Sequence, residues 1–269
     1  MRRRRWIMVL VAAAVAATGA VVGIHALFRT VTKAPPSCSV GSGDTALVLA
    51  PDQAADAATI AAVAKRMALA DHAVTIALAT ALQESKLHNY PFGDRDSVGL
   101  FQQRPSQGWG PRAQLLTPAF AAAAFYQHLR QVPGWQTMPV AEAAQAVQHS
   151  AFGSAYAQWE EEARAMARAL TGEVPAGMGC QFAKPSTSDG AALAALAERE
   201  LGPGVLRRSG GSLRQDWTVA EWIVGHAMSY GVVAVTVRGQ RWTPGSATWA
   251  PAASPSGSPT YQLAPPPTG

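Results

Sequence analysis

A chain of 269 residues with a formal net charge of +5 can hold one large domain or two modest ones. Its Ala-rich runs lack the Val/Thr alternation of strands and favour helix. The positive charge is local: residues 1–34 hold Arg2, Arg3, Arg4, Arg5, Arg29 and Lys33 and no acid, and setting those six aside leaves 16 basic against 17 acidic residues, which excludes a basic field for nucleic acid.

Residues 1–5 form a basic segment, and residues 6–28 are uncharged and apolar. A helix of about 20 residues crosses the hydrocarbon core, and the arginines hold their end in the cytoplasm. A transmembrane signal anchor over residues 6–28 is therefore expected, with the bulk of the chain extracytoplasmic. A cleaved signal processed near residues 16–20 is the alternative, and would leave a secreted protein. Residues 29–50 mix Pro, Ser, Gly and Thr and read as a linker.

A helical domain is expected over residues 51–172. Asp52 can cap a first helix running to about Leu69, and Asp71 a second running to about Leu87. The second carries Val74, Ile76, Ala77, Leu78, Ala81 and Leu82 around most of its circumference, as a buried helix does. A Gly-rich loop, residues 91–111, precedes helices near residues 118–131, 140–150 and 155–170. Residues 173–190 read as a second linker. Residues 191–249 read as a small α+β module: one helix ending at Leu201, another capped by Asp216 and stopped by Gly231, then a strand, a turn at Gly239 and a return strand. Residues 250–269 read as a disordered Pro/Ser-rich tail. The fold class expected is mainly α, with an N-terminal transmembrane helix and a small C-terminal α+β module.

The two cysteines, Cys38 and Cys180, flank the helical segment. An oxidising compartment would let them pair; two unrelated thiols are the alternative. With no CxxC and no Cys/His cluster, neither a metal nor a cofactor is expected. His72, His128 and His149 show no metal-binding spacing.

Glu84 closes the apolar second helix. Desolvation there disfavours the anion, and the negative end of the helix dipole acts in the same direction. A carboxyl kept protonated can protonate a leaving oxygen, as glycosidases require. Ten residues on, the loop brings Gly93, Asp94 and then Gly99-Leu100-Phe101-Gln102-Gln103: glycines for tight backbone, apolar residues to pack, and amides that suit sugar hydroxyls.

Glu84-Ser85 followed by Gly99-Leu100-Phe101-Gln102 resembles the Glu-Ser … Gly-Leu-Met-Gln signature of soluble lytic transglycosylases and goose-type lysozymes, with Phe101 at the Met position. Gly93-Asp94-Arg95 resembles the Gly-Asp segment before that signature in goose-type lysozymes. The run over residues 96–110, the Ala-Gln-Ala-Val-Gln ending at Gln148, and Ala155-Tyr156-Ala157 are similar to exported lysozyme-like proteins of actinobacteria. The resemblance covers about residues 55–172. It implies a lysozyme-like helical fold and a peptidoglycan-cleaving glycosidase acting on the MurNAc-GlcNAc strand.

Carried over position by position, the resemblance makes Glu84 the general acid and Gln102 a cleft residue bonded to substrate, with Ser85, Phe101 and Gln103 beside them. The family's third motif, Ala-Tyr-Asn-Ala-Gly, has a degraded counterpart in Ala146-Val147-Gln148-His149-Ser150: Gln148 could replace the Asn, while Val147 replaces the Tyr. Tyr156 could supply the missing ring or could simply pack its helix. Asp94 could serve as the second carboxylate of a hydrolase or could be a turn former. Without such a base, the sugar's own 6-hydroxyl could attack and leave a 1,6-anhydro end. Trp109, Phe101, Tyr126 and Trp135 are candidates to floor the cleft or to pack, and Arg104 is a candidate to meet stem-peptide carboxylates. The partners expected are peptidoglycan strands, the cytoplasmic membrane through residues 6–28, and an envelope protein for the C-terminal module. The alternative is a lysozyme-like protein that binds glycan or a partner without cutting it.

Overall fold

The computed structural model describes residues 35–41, 46–149, 153–253 and 257–266. The expected signal anchor, residues 6–28, lies outside them; among the described residues no helix is long and apolar enough to cross a membrane. These residues form eight α-helices and two small antiparallel sheets, which bears out a mainly α chain with an α+β part.

Helix α1, Pro51–Arg66, starts two residues earlier than an Asp52 cap would allow. Ala50 is the N-cap, Pro51 takes the first helical position, and the Gln53 side chain accepts from the Ala50 N–H at 2.8 Å. Asp52 instead sits in the first turn, where its charge suits the helix dipole. Helix α2, Asp71–Ser85, is buried at every position from Ala73 to Leu82, as its uniform apolarity predicts. A short α3, Arg112–Leu115, leads to α4, Pro118–Leu129, and α5, Val140–Gln148. The helix expected over residues 155–170 is split: Gly153–Trp159 is a 3₁₀ turn, and only Glu160–Leu170 (α6) is α-helical. Helices α7, Gly190–Glu200, and α8, Leu213–Tyr230, follow. Ser212, not Asp216, caps α8, because Ser212 and Gln215 form a reciprocal capping box. Gly231 ends the helix with φ +73°, as expected.

Three segments read as linkers or tail are ordered strands. Residues 29–50 supply β1, Ser37–Val40, and β2, Leu47–Leu49; residues 173–190 supply β3, Met178–Gln181. They pair as β2-β1-β3, with Cys38 directly opposite Cys180, and the two cysteines form a disulfide. Cys38, Val40, Leu49, Met178 and Cys180 are buried, so the apolar minority of these segments orders them. The second sheet runs β6-β5-β4-β7, built from β4, Val232–Val237, β5, Gln240–Trp242, β6, Ala250–Pro251, and β7, Thr260–Leu263. Strands β6 and β7 come from the expected disordered tail. Tyr261 and Leu263 of β7 pack against the core.

The helices of residues 51–172 and the elements of residues 191–249 share one apolar core. At Gly225 on α8, an added Cβ would lie 3.1 Å from the Ala58 Cβ of α1, so small residues set this close crossing. Trp242 Nε1 donates to the Cys180 carbonyl at 3.1 Å and Trp249 Nε1 to the Met178 carbonyl at 2.7 Å. These bonds knit the second sheet to β3.

Candidate functional site

The site is built around the last turn of α2. Lys86 and Leu87, both at positive φ, turn the chain sharply out of the helix. Ser85 faces inward: its hydroxyl donates to the Leu100 carbonyl at 2.8 Å and it is 4 % exposed. Ser85 therefore ties helix to loop. Glu84 is half-buried, less withdrawn from water than an apolar helix end implies. The Tyr156 hydroxyl donates to Glu84 Oε1 at 2.6 Å. The adjacent Gln83 Oε1 accepts from Trp159 Nε1 at 2.8 Å and Gln158 Nε2 at 3.0 Å, and the Lys86 ammonium lies 4.1 Å over the Trp159 ring. Burial pushes Lys86 below its ordinary range, against the opposing pull of the Glu84 charge. The 3₁₀ turn Gly153–Trp159 is thus bonded along the end of α2. The Tyr156 ring is buried, and its hydroxyl meets Glu84.

The loop that follows is held from three sides. Val98 and Gln103 bridge across the turn Gly99-Leu100-Phe101-Gln102, with backbone bonds of 3.0 and 3.1 Å. Gly99 has φ +78°, and a Cβ there would sit 2.6 Å from the Leu115 carbonyl oxygen, so the position demands glycine. Gln102 bends back over the loop and donates to the Gly99 carbonyl at 3.1 Å. Its Oε1 lies 1.9 Å from where a Cβ on Gly93 would sit, so a side chain at 93 would displace the Gln102 amide. Gln148, at the end of α5, donates to the Phe101 carbonyl at 2.8 Å and so grips the same turn.

Two further expected substrate contacts are internal, like Ser85. Phe101 is fully buried and stacks on Phe125 with ring centroids 4.8 Å apart, because an apolar ring at this turn gains more from the core than from water. Gln103 is 1 % exposed and donates to the Ala121 carbonyl at 3.1 Å. Gln102 and Gln148 remain half-buried. The Asp94 side chain is 89 % exposed, 4.0 Å from Arg95, and its carbonyl accepts from Ser97 N–H; this is the turn-forming arrangement. Asp96 accepts from the Ser106 N–H at 2.8 Å, from Arg104 at 2.9 Å and from the Ser106 hydroxyl at 2.9 Å, which together hold its carboxyl down to about 2. Arg104 is occupied there and does not project alone into a cleft.

The aromatic surface also differs from expectation. Tyr126 and Trp135 are buried, and Trp109 packs over His128 at 4.0 Å. Exposed Tyr90 and Phe92 follow half-buried His88 in one row, with successive ring centroids 5.2 and 5.4 Å apart. Phe92 is 67 % exposed. His88 stands between Gln53, 3.2 Å away, and Asp52, 3.7 Å away. This ledge is strapped to the signature turn: Gly99 N–H donates to the Tyr90 carbonyl at 2.7 Å, and Gln102 to the Phe92 carbonyl at 3.4 Å. Its sequence signal is the alternation of rings at 88, 90 and 92, four residues after Glu84.

Among the described residues no group of three His, Cys, Asp or Glu side chains is placed to hold a metal ion. In comparison with known proteins, the chain matches no family model and no curated protein.

Proposed function

We propose that this chain is a lysozyme-like envelope protein that cleaves peptidoglycan glycan strands with Glu84 as proton donor. The observation that carries the reading is the Tyr156–Glu84 hydrogen bond. It brings a tyrosine from a separate segment onto the one acid that the Glu-Ser signature singles out, and compensates for Val147 in the third motif. The turn Gly99-Leu100-Phe101-Gln102 is bonded to α2 through Ser85 and to α5 through Gln148, which supports a preorganised wall beside that acid. The ledge of His88, Tyr90 and Phe92 offers ring faces on which the C–H faces of sugars pack.

In this mechanism protonated Glu84 gives its proton to the glycosidic oxygen, the C1–O bond breaks, and the leaving sugar departs as an alcohol. Tyr156 is a positioning residue that fixes the carboxyl orientation. Asp94, exposed beside Arg95, is a poor candidate for the base that an inverting hydrolase needs about 6.5–9.5 Å from its acid. The 6-hydroxyl of the MurNAc ring therefore closes on C1, gives up its proton to Glu84, and leaves a 1,6-anhydro end. Residues 6–28 would anchor the protein on the outer face of the cytoplasmic membrane, a placement supported by the Cys38–Cys180 disulfide.

The second reading is a glycan-binding protein without cleavage. It is favoured by the internal roles of Ser85, Phe101 and Gln103 and by Val147 at the third motif. Incubation of the full-length protein with purified sacculi, followed by mass spectrometry of released muropeptides, separates the two. Anhydro ends are expected; reducing ends would replace transglycosylation with hydrolysis, and sedimentation with sacculi without release would establish the binding reading.

A further inference from the structure

A cavity of about 400 Å³ opens between the last turn of α1, the 3₁₀ turn Val205–Arg207, the first half of α8 and β7. None of the residues discussed for the glycan site lines it. Its apolar wall consists of Leu201, Val205, Leu206, Val219, Ile223 and the ring of Tyr261, all only partly buried except Ile223. The volume falls within the range of small-molecule sites.

The polar part of the lining is one-sided. Lys65, Arg66, Arg208 and Arg214 stand on it, against the single acid Asp216. Asp216 is neutralised from behind by Arg238, whose Nε donates to Oδ2 at 2.8 Å. Lys65 and Arg214 both pair with Asp71. Arg66 and Arg208 are exposed, and their guanidinium groups have no hydrogen-bonding or ionic partner among the described residues. Two guanidinium groups without counter-charge, beside an aliphatic wall, match a molecule with an apolar chain and an anionic head.

We propose that this cavity is a binding site for a medium-chain acyl anion, with the chain against Leu201, Val205, Leu206, Val219 and Ile223 and the carboxylate at Arg66 and Arg208. The site is independent of Glu84.

Isothermal titration of the full-length oxidised protein with decanoate tests this. Saturable one-to-one binding is expected, at least about tenfold tighter than for decyltrimethylammonium, which has the same chain and the opposite charge. The double variant Arg66→Gln/Arg208→Gln changes exposed side chains only and places no acid at the end of α1; it should lose decanoate binding while keeping its melting temperature within a few degrees. Leu206→Trp, which fills the cavity, should lose binding with both arginines in place. Equal affinity for the two amphiphiles, unchanged binding in the double variant, or no saturable binding below the concentration at which decanoate self-associates would overturn the proposal. So would sedimentation with anionic vesicles that depends on Arg66 and Arg208 without binding of free decanoate, since the arginines would then serve a membrane surface.

Discussion

Tyr156 and Glu84 are 72 positions apart in the chain, yet the tyrosine hydroxyl donates to Glu84 Oε1 at 2.6 Å. The bond depends on the break between α5 and α6, because the 3₁₀ turn Gly153–Trp159 lies along the end of α2 and is fastened there again through Gln83. Removing the hydroxyl alone, in Tyr156→Phe, leaves the buried ring to pack. A positioning role predicts that kcat on glycan falls about tenfold while KM changes by no more than about twofold, with a stability loss of about 1 kcal/mol. Steady-state muropeptide release checks this; a lowered melting temperature with unchanged kcat would reduce Tyr156 to a packing residue.

The exposed ledge predicts the opposite kinetic pattern. Phe92→Ala and Tyr90→Ala remove ring faces that stand in solvent, so stability should stay within about 0.5 kcal/mol. Each should raise KM for glycan chains about threefold to tenfold, equivalent to about 0.7–1.4 kcal/mol of stacking, with kcat retained. Affinity for soluble glycan oligomers, measured on catalytically silent protein, is a direct check.

The disulfide joins positions separated by 142 residues. In the chain-entropy model, a loop of that length corresponds to about 5 kcal/mol of stabilisation. Cys38→Ala/Cys180→Ala should therefore melt about 10 °C or more below the parent. Calorimetry with and without a thiol reductant should show a drop for the parent and none for the variant.

Burial, with the charges of Asp52 and Glu200 adding to it, pushes the Asp56 carboxyl from its ordinary 3.8 up to about 8. The folded state therefore holds a proton that the unfolded chain has released. The Asp56 contribution to stability is present below about pH 4 and is lost as pH rises toward about 8, by up to about 1.4 kcal/mol per unit. His226 works in the other sense, since burial pushes it down despite the Glu200 charge and the Trp222 carbonyl. Comparison with Asp56→Asn isolates Asp56. Urea unfolding at pH 5 and pH 8 should show the wild type losing stability relative to the variant as pH rises; parallel profiles would remove Asp56 from the pH response.

Much of the helical framework was legible in the residues. The uniform apolarity from Val74 to Leu82 marked a buried helix, and Gly231 marked the end of α8. The strands of residues 37–49 and 178–181 were not legible, because each has only three or four residues, too few to show an alternation, and β3 finds its partner β1 across the chain rather than nearby. Strand β7 left a local trace, with Tyr261 and Leu263 on one face, but Pro and Ser around it masked the alternation. At the site, Glu84, Gly93 and Gly99 were readable as special positions. The inward turn of Phe101 and Gln103 was not, since adjacent apolar and amide residues carry no mark of which face the loop will bury. Tyr156 could not be assigned before the 3₁₀ turn showed which way its hydroxyl points.

The most direct test compares Glu84→Gln with the wild type on purified sacculi at equal concentration, with sedimentation run in parallel to show that the variant still engages glycan. The account predicts binding within about threefold of wild type and a loss of anhydro-muropeptide release of at least about a thousandfold, as expected for removal of a catalytic acid. Release by the variant at the wild-type rate would contradict it.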